Sequence, residues 1–174
     1  PPAWVQGMRT YAWSSDATHL FVLRNDQGAR SLLSVEAASG SMQKMDISPY
    51  TWLDQIAPDA GSVFAFVASS TQIPDRIITW EDGQSHVERY SESGLVVPEE
   101  LPASQPVTWQ AAGGISVHGL YFPPVSGRFT SDGKPPAVVH IHGGPTSSAT
   151  AKFNTDAAFF TTRGYGFLEV NYRG

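Results

Sequence analysis

The sequence predicts two β-propeller-type blades followed by the start of an α/β domain, and three observations support that prediction. Similar segments recur in the first half of the chain at an offset of about 43 residues, which lies within the ~40–45 residues of a four-stranded propeller blade. Residues 91–105 then turn rich in Pro, Ser and Glu, which is typical of a linker. Beyond them, a strand, a glycine turn, a helical pattern and a second strand occupy 136–171, the order of a βαβ unit.

The repeat begins each time with an aspartate in a turn, followed by an apolar strand. Asp16 precedes the strand that starts at Leu20, and Asp59 precedes the strand that starts at Val63. Later strands correspond at a similar offset, 31–36 with 76–81 and 42–47 with 86–90. We therefore predict one blade at 9–47 and a second at 52–90. Because a propeller needs ~4–8 blades to close its ring, we expect the last two of about seven blades, cut from a longer chain.

The side chains of the blades have structural explanations. Asp16 and Asp59 are expected to cap turns by accepting backbone N–H bonds, and no second carboxylate stands at the spacing that a metal site needs. Seven aromatic residues are expected to pack between the blades rather than to form a ligand platform. They are Tyr11, Trp13, Phe21, Trp52, Phe64, Phe66 and Trp80.

Composition narrows the classes of partner and location. The net charge is −5 and no basic cluster occurs, which disfavours nucleic acid as a partner. The absence of cysteine excludes disulfides and thiolate metal sites and is compatible with a cytoplasmic protein. No apolar run approaches the ~18 residues of a membrane span. We expect no membrane association, metal or cofactor.

The strand around which the second half is organised is predicted at Ala137–Ile141. It is rich in β-branched residues and too short for a helix, so we expect a strand buried on both faces, with His140 as a core histidine. The sequence His142-Gly143-Gly144-Pro145 ends it. Two glycines permit a sharp turn with accessible N–H groups, and proline stops the strand.

The segments around this strand complete a predicted βαβ unit and a hairpin. A helical stripe of apolar residues runs through 146–163, with Ser147 or Ser148 as its N-cap and Gly164 as its stop. The flanking strands are predicted at 107–111 and 115–122, joined by a glycine turn at 112–114, and at Gly166–Asn171.

A His-Gly-Gly-Pro turn after a strand is typical of the oxyanion arm of α/β-hydrolases, in which a backbone N–H points to the oxygen of the attacked carbonyl. The candidate site residues are therefore His142, Gly143 and Gly144. The alternative is a plain turn of any α/β protein.

No Gly-x-Ser-x-Gly nucleophile motif occurs in the sequence, and we interpret Ser116, the nearest approach to one, as a decoy because its spacing is wrong. In α/β-hydrolases the catalytic histidine comes after the serine and the aspartate in the chain. The histidines of the second half here come before the place where the serine motif would stand, so none of them is expected to be that catalytic histidine.

Four segments together resemble a known family: 106–109 (Pro-Val-Thr-Trp), 117–124 (Val-His-Gly-Leu-Tyr-Phe-Pro-Pro), 140–146 (His-Ile-His-Gly-Gly-Pro-Thr) and 163–174. In their order and spacing the chain resembles the prolyl oligopeptidase family of serine peptidases, most closely its acylaminoacyl-peptidase and dipeptidyl-aminopeptidase-like branch. The resemblance implies β-propeller blades at 1–90, a linker at 91–105 and the N-terminal part of an α/β-hydrolase (peptidase) domain at 106–174.

The resemblance also implies an activity and the roles of the arm. The full-length protein would hydrolyse short peptides with a Ser-Asp-His triad that lies beyond this chain, so the chain alone is expected to be inactive. The N–H of Gly144 would bind the oxyanion. Some relatives carry a tyrosine where this sequence has His142, which we therefore expect to orient the turn rather than to donate a proton.

Two alternatives remain open from the sequence: an esterase or lipase that uses the same arm, and a non-catalytic propeller that binds a partner. For the favoured hypothesis, the expected partners are a short peptide substrate and the remainder of the same polypeptide. Formation of an oligomer stays open.

Overall fold

The computed structural model describes residues 6–59, 63–81, 83–91, 100–128, 133–144 and 147–172. These residues form three four-stranded sheets and one α-helix. No helix among them is long and apolar enough to cross a bilayer. The predicted linker lies largely outside the described residues, since 92–99 are not among them, and the division into domains stays a prediction.

The first two sheets are antiparallel meanders with the strands in chain order, as the predicted blades require. The first consists of β1 (Tyr11–Trp13), β2 (His19–Asp26), β3 (Ala29–Glu36) and β4 (Met42–Lys44). The second consists of β5 (Trp52–Pro58), β6 (Phe64–Ser70), β7 (Ile73–Glu81) and β8 (Gln84–Tyr90). The prediction of two four-stranded blades is confirmed, with the outer strand of the first blade shorter than predicted.

A hydrophobic core lies between the two blades. Phe21 of β2 contacts Phe64 of β6 with ring centroids 4.2 Å apart, and Leu32 and Ala68 are fully buried. The packing predicted for the aromatic residues is confirmed for five of the seven, namely Phe21, Trp52, Phe64, Phe66 and Trp80.

The same expectation is wrong for Tyr11 and Trp13, which are 63% and 49% exposed. Both lie on β1, where alternate residues point to opposite faces. Ala12, between them, packs against the core, so its two neighbours must point away from it.

Asp16 caps the turn between β1 and β2, as predicted. Its Oδ1 accepts hydrogen bonds from the N–H of Thr18 at 3.0 Å and from the hydroxyl of Ser14 at 2.7 Å. These donors stabilise the carboxylate and lower the pKa of Asp16 to about 2. At the second position of the repeat, the N–H of Asp59 donates to the carbonyl of Val63, and the capping role of the Asp59 side chain stays a prediction.

The third sheet is mixed and has the strand order β11-β12-β10-β9. Its strands are β9 (Gln105–Gln110), β10 (Ser116–Phe122), β11 (Ala137–Ile141) and β12 (Gly166–Asn171). Only β11 and β12 run parallel, among the strands described, with Ala137 opposite Gly166 and Ile141 opposite Val170. The helix α1 (Thr155–Thr161) lies between them in the chain. The βαβ unit is confirmed, and the hairpin of β9 and β10 extends the same sheet.

The helix is shorter than predicted and begins later. Asn154 caps α1, because its side chain accepts from the N–H groups of Asp156 and Ala157 at 2.9 and 3.1 Å. The expected caps, Ser147 and Ser148, are therefore wrong. The preceding residues cannot be helical because tertiary partners take their N–H groups: that of Ala151 donates to Gly28 at 2.6 Å.

The predicted stop of the helix is confirmed. Gly164 has a φ of +88°, a conformation that glycine adopts without strain. Its N–H donates to the carbonyl of Thr161, and the N–H of Tyr165 donates to that of Phe160. These two bonds form a Schellman motif, and the contact between the rings of Tyr165 and Phe160 at 6.0 Å completes it.

The burial expected for β11 is wrong. Val139 and Ile141 are 57% and 63% exposed, because β11 is the edge strand of the described sheet and pairs only with β12. The side chain of His140 is likewise 49% exposed, so His140 is not the core histidine that the apolar run suggested.

The third sheet meets the blades through the turns at one end of each blade. Gly28, in the β2–β3 turn, lies against Leu120 and Ala149, and Thr51 donates a hydrogen bond to the carbonyl of Ala151. Ser69, at the end of β6, accepts from the N–H of Phe153 at 3.0 Å. The two blades therefore contact the same segment of the third sheet's βαβ unit.

Candidate functional site

The predicted oxyanion arm lies directly after β11, at the carboxyl end of the parallel pair. Ile141 is the last residue of β11 that pairs with β12, and His142, Gly143 and Gly144 follow it. Ligands of open α/β sheets bind at the carboxyl ends of parallel strands. Pro145, the fourth residue of the motif, lies outside the described residues.

Gly144 has a backbone conformation that suits a donor in an open turn. Its φ is +73°, and an added Cβ would meet no atom within 4 Å. Within the described ranges, its N–H makes no hydrogen bond. Both Gly143 and Gly144 are exposed, so the turn is open to another molecule.

Tyr172, the residue after β12, contacts the turn on both sides of Gly143. Its hydroxyl lies 2.9 Å from the carbonyl oxygen of Gly144, to which it donates, and 3.2 Å from that of His142. Its ring stacks on the imidazole of His142 with centroids 4.4 Å apart and an angle of 17° between the planes. Sequence reasoning assigned no role to Tyr172. The available signal was its position at the end of the strand predicted to pair with β11.

His142 is held by that stack rather than by a hydrogen bond of its ring. Its Nδ1 is buried and has no partner within the part of the chain that is described. No donor or acceptor of the described residues therefore fixes the tautomer of the imidazole, and packing against Tyr172 is what orients it.

Beside the turn, a buried carboxylate links β11 to the helix. Glu169 of β12 lies opposite His140 of β11 and is 8% exposed. Its Oε1 accepts from the side-chain amide of Asn154 at 3.0 Å and lies 3.4 Å from Nδ1 of His140. Burial raises the pKa of Glu169, and the neighbouring His140 and Asn154 oppose that rise. Because Asn154 also caps α1, this cluster fixes the start of the helix against β11. The sequence carried no signal for it.

Ser116 and His118, two residues after it, lie elsewhere, on β10. The hydroxyl of Ser116 accepts from the side-chain amide of Gln110 at 2.9 Å, and Nδ1 of His118 lies 2.9 Å from the hydroxyl of Thr108. Both pairs connect β9 and β10 across the ladder. Ser116 is thus a residue within a strand, as the interpretation of it as a decoy requires.

Two blades followed by an open sheet with a glycine turn at the end of its parallel pair define an architecture, that of a propeller placed before an α/β-hydrolase domain. Comparison with known proteins shows which proteins of this architecture the chain is similar to. It is 27% identical over its whole length to the acylamino-acid-releasing enzyme of Arabidopsis thaliana. The resemblance to prolyl oligopeptidase family peptidases is confirmed by this relative together with the solved structures below.

Solved structures agree. A Mycobacterium tuberculosis puromycin-hydrolyzing peptidase matches 98% of the chain with a TM-score of 0.87 and 26% identity, and a puromycin hydrolase matches 98% with a TM-score of 0.85 and 31% identity. The chain covers 27% and 26% of those two chains and 25% of the Arabidopsis enzyme. It therefore spans about a quarter of the length of these relatives. No protein-family model matches the chain.

Proposed function

We propose that this chain is the part of a serine peptidase that supplies one donor of the oxyanion hole, the backbone N–H of Gly144. The observation that carries the proposal is that Gly144 is exposed, with no hydrogen bond from its N–H to a described residue, in a turn at the carboxyl end of two parallel strands. The similarity of the whole chain to peptidases supports it. The nucleophilic serine, the aspartate and the histidine would lie beyond this chain, as would the second oxyanion donor.

In the proposed reaction, the serine attacks the scissile carbonyl of a short peptide while the histidine takes its proton. The carbonyl oxygen gains negative charge as the carbon becomes tetrahedral, and the N–H of Gly144 donates to that oxygen. Gly143 gives the turn its freedom of conformation, and His142 orients it through its stack on Tyr172. No step assigned to these residues requires a metal or a cofactor.

The substrate class follows from the relatives and stays a proposal for this protein. One relative releases acylamino acids by its name, and the other two hydrolyse puromycin by their titles. We propose an aminopeptidase, acylaminoacyl-peptidase or oligopeptidase acting on short peptides. In this proposal, residues 1–90 belong to the propeller, 91–105 to the linker and 106–174 to the peptidase domain, and the propeller limits access to small substrates. A cytoplasmic location stays a prediction from composition.

The test compares Gly144→Pro with Gly144→Ala in the full-length protein, using an aminoacyl-p-nitroanilide and the corresponding p-nitrophenyl ester. Alanine keeps the N–H and bears the strain of a Cβ at a φ of +73°, whereas proline removes the N–H and also cannot adopt that φ. We expect Gly144→Pro to lower kcat by at least about 10²–10³ relative to Gly144→Ala, the effect of losing one oxyanion donor, to which any change in the turn would add.

Circular dichroism of both variants checks that they fold. A Gly144→Pro enzyme that keeps the rate of Gly144→Ala would refute the role of this N–H. Turnover of the ester without the amide would favour the esterase, and no turnover of either by the unsubstituted protein would favour the binding module.

A further inference from the structure

We propose that Tyr172 is a positioning residue that holds the Gly143–Gly144 peptide with its N–H directed outward. The inference rests on the proposed function of Gly144 and extends it to a residue outside the arm. Its basis is that the hydroxyl of Tyr172 contacts the peptide units on both sides of the Gly143–Gly144 peptide. The carbonyl of His142 belongs to the unit before it, and the carbonyl of Gly144 belongs to the unit after it.

The turn needs such a restraint because the peptide between two glycines rotates easily. Glycine adopts positive and negative φ with similar ease, and neither Gly143 nor Gly144 has an atom within 4 Å of the place where a Cβ would lie. Rotation of this peptide by half a turn changes ψ of Gly143 and φ of Gly144, and it occurs most easily when the neighbouring peptide units can shift with it. It would direct the carbonyl oxygen of Gly143, instead of the N–H of Gly144, toward the substrate. An acceptor repels an oxyanion, so the rotated turn would be inactive.

Tyr172 is well placed to oppose the shifts of those neighbouring units. Its hydroxyl donates to Gly144 at 2.9 Å, and the carbonyl of His142 at 3.2 Å shares the same proton in a three-centre bond. Both carbonyls are thereby held toward the phenol, which restrains the peptide units that flank the Gly143–Gly144 peptide.

The position of the Tyr172 ring is itself fixed by the sheet and by neighbouring contacts. Tyr172 follows β12, which pairs with β10 on one side and β11 on the other. The side chain of Asn171, its neighbour, accepts from the N–H of Ala149 at 2.6 Å, and the ring of Tyr172 packs on His142. The restraint is therefore transmitted from the central strands of the sheet to the two glycines, with no contact between Tyr172 and the reacting atoms required.

The test uses Tyr172→Phe in the full-length enzyme, which keeps the ring and its stack but removes the hydroxyl. We expect kcat for an aminoacyl-p-nitroanilide to fall roughly fivefold to tenfold, the effect of one lost hydrogen bond, with KM unchanged within a factor of two. Affinity for a peptide aldehyde, which forms an oxyanion on the enzyme, should fall by the same factor. Affinity for a non-covalent product peptide should not change.

The matched control is Tyr165→Phe, because Tyr165 packs on Phe160 at the far end of the helix and should leave all four constants unchanged. A double mutant separates this inference from the proposed function. If Tyr172 acts through the N–H of Gly144, adding Tyr172→Phe to Gly144→Pro should cause no further loss of kcat.

The outcomes are distinct. If Gly144→Pro loses activity but Tyr172→Phe retains both kcat and aldehyde affinity, the oxyanion role stands and the positioning role fails. An additive loss in the double mutant, or a loss confined to KM, also overturns it. Hydrogen exchange of the segment 137–144 provides a measurement that does not need activity. Tyr172→Phe should accelerate it and Tyr165→Phe should not, and unchanged exchange in Tyr172→Phe would refute the restraint.

Discussion

The two blades are joined to each other and to the third sheet by interfaces of opposite character. Between the blades, aromatic rings meet: Phe21 of the first blade contacts Phe64 of the second at 4.2 Å, and Phe64 lies 6.2 Å from Trp80 of its own blade, with all three buried. Between the blades and the third sheet, the buried side chains are aliphatic, with Ala149 and Ala151 both 6% exposed and Leu120 2% exposed. Directed polar contacts replace the rings there, including those of Gly28 and Ser69.

The difference shows which interface holds the fold and which one sets an orientation. Buried apolar area contributes about 25 cal/mol per Å², so the aromatic interface stabilises the pair of blades strongly but without direction. A hydrogen bond contributes about 1 kcal/mol net, yet it fixes the position of its two groups. We infer that the polar interface holds the βαβ unit, and with it the arm, at a defined place relative to the blades.

Arg30 lies where the two interfaces meet. Its guanidinium stacks 4.0 Å over the ring of Trp52, pairs with the carboxylate of Asp54 and donates to the carbonyl of Leu53 at 2.8 Å. Its own N–H donates to the carbonyl of Thr51, whose hydroxyl reaches the third sheet at Ala151. This buried cation therefore joins the first blade to the segment of the second blade that contacts the third sheet.

Removal of an aromatic ring should have the largest effect. Phe64→Ala is expected to lower the free energy of unfolding by about 3–5 kcal/mol, because it deletes a buried ring and leaves a cavity between the blades. Urea unfolding of the full-length protein, followed by tryptophan fluorescence, measures the change. Phe64→Leu is the matched control, since it keeps most of the apolar volume and should cost roughly a third as much. Equal losses in the two variants would show that the aromatic packing is not what joins the blades.

The second interface should respond to a single added methyl group. At Gly28, with φ at +85°, a Cβ would lie 3.1 Å from Cδ1 of Leu120, whereas Gly83, with φ at +83°, has open space around it. Gly28→Ala and Gly83→Ala therefore share the backbone strain and differ in packing. Overpacking a close contact costs about 1–3 kcal/mol, so urea unfolding should show Gly28→Ala less stable than Gly83→Ala by about 1 kcal/mol or more. Equal stabilities would mean that the blades do not press on the third sheet at this turn.

Much of the fold could be predicted because strands carry their own signals. The prediction of β12 at Gly166–Asn171 agrees with the structure to the residue, since an apolar run between a glycine and polar residues marks both ends. The blades were visible for a similar reason, as the repeat places an aspartate turn before each apolar strand. These patterns depend only on neighbouring residues.

Apart from Tyr11 and Trp13, the wrong expectations depend on distant partners. A helical stripe suggested that Ala149 and Phe153 belonged to the helix, but their N–H groups are bound by Asn171 and Ser69 instead. The apolar composition of β11 suggested burial on both faces, although that depends on which strands flank it. Tyr172 reaches the glycine turn only because β11 and β12 run in parallel, a property of the sheet that one strand's sequence does not contain.

The smallest effect is expected at the rim of the second interface, where Lys152 pairs with Asp75. Nζ lies 3.1 Å from Oδ2, and the two side chains are 33% and 39% exposed. An ion pair at this exposure contributes about 0.2–1 kcal/mol and is screened by salt. Lys152→Gln should therefore lower the stability by no more than that at low ionic strength, and by less at about 1 M salt. Lys134→Gln, at an exposed lysine with no ion pair among the described residues, is the control and should change little at either ionic strength. A loss at Lys152 that exceeds the loss at Gly28 and persists in salt would reverse the order of effects, and would place the main attachment of the third sheet at its rim.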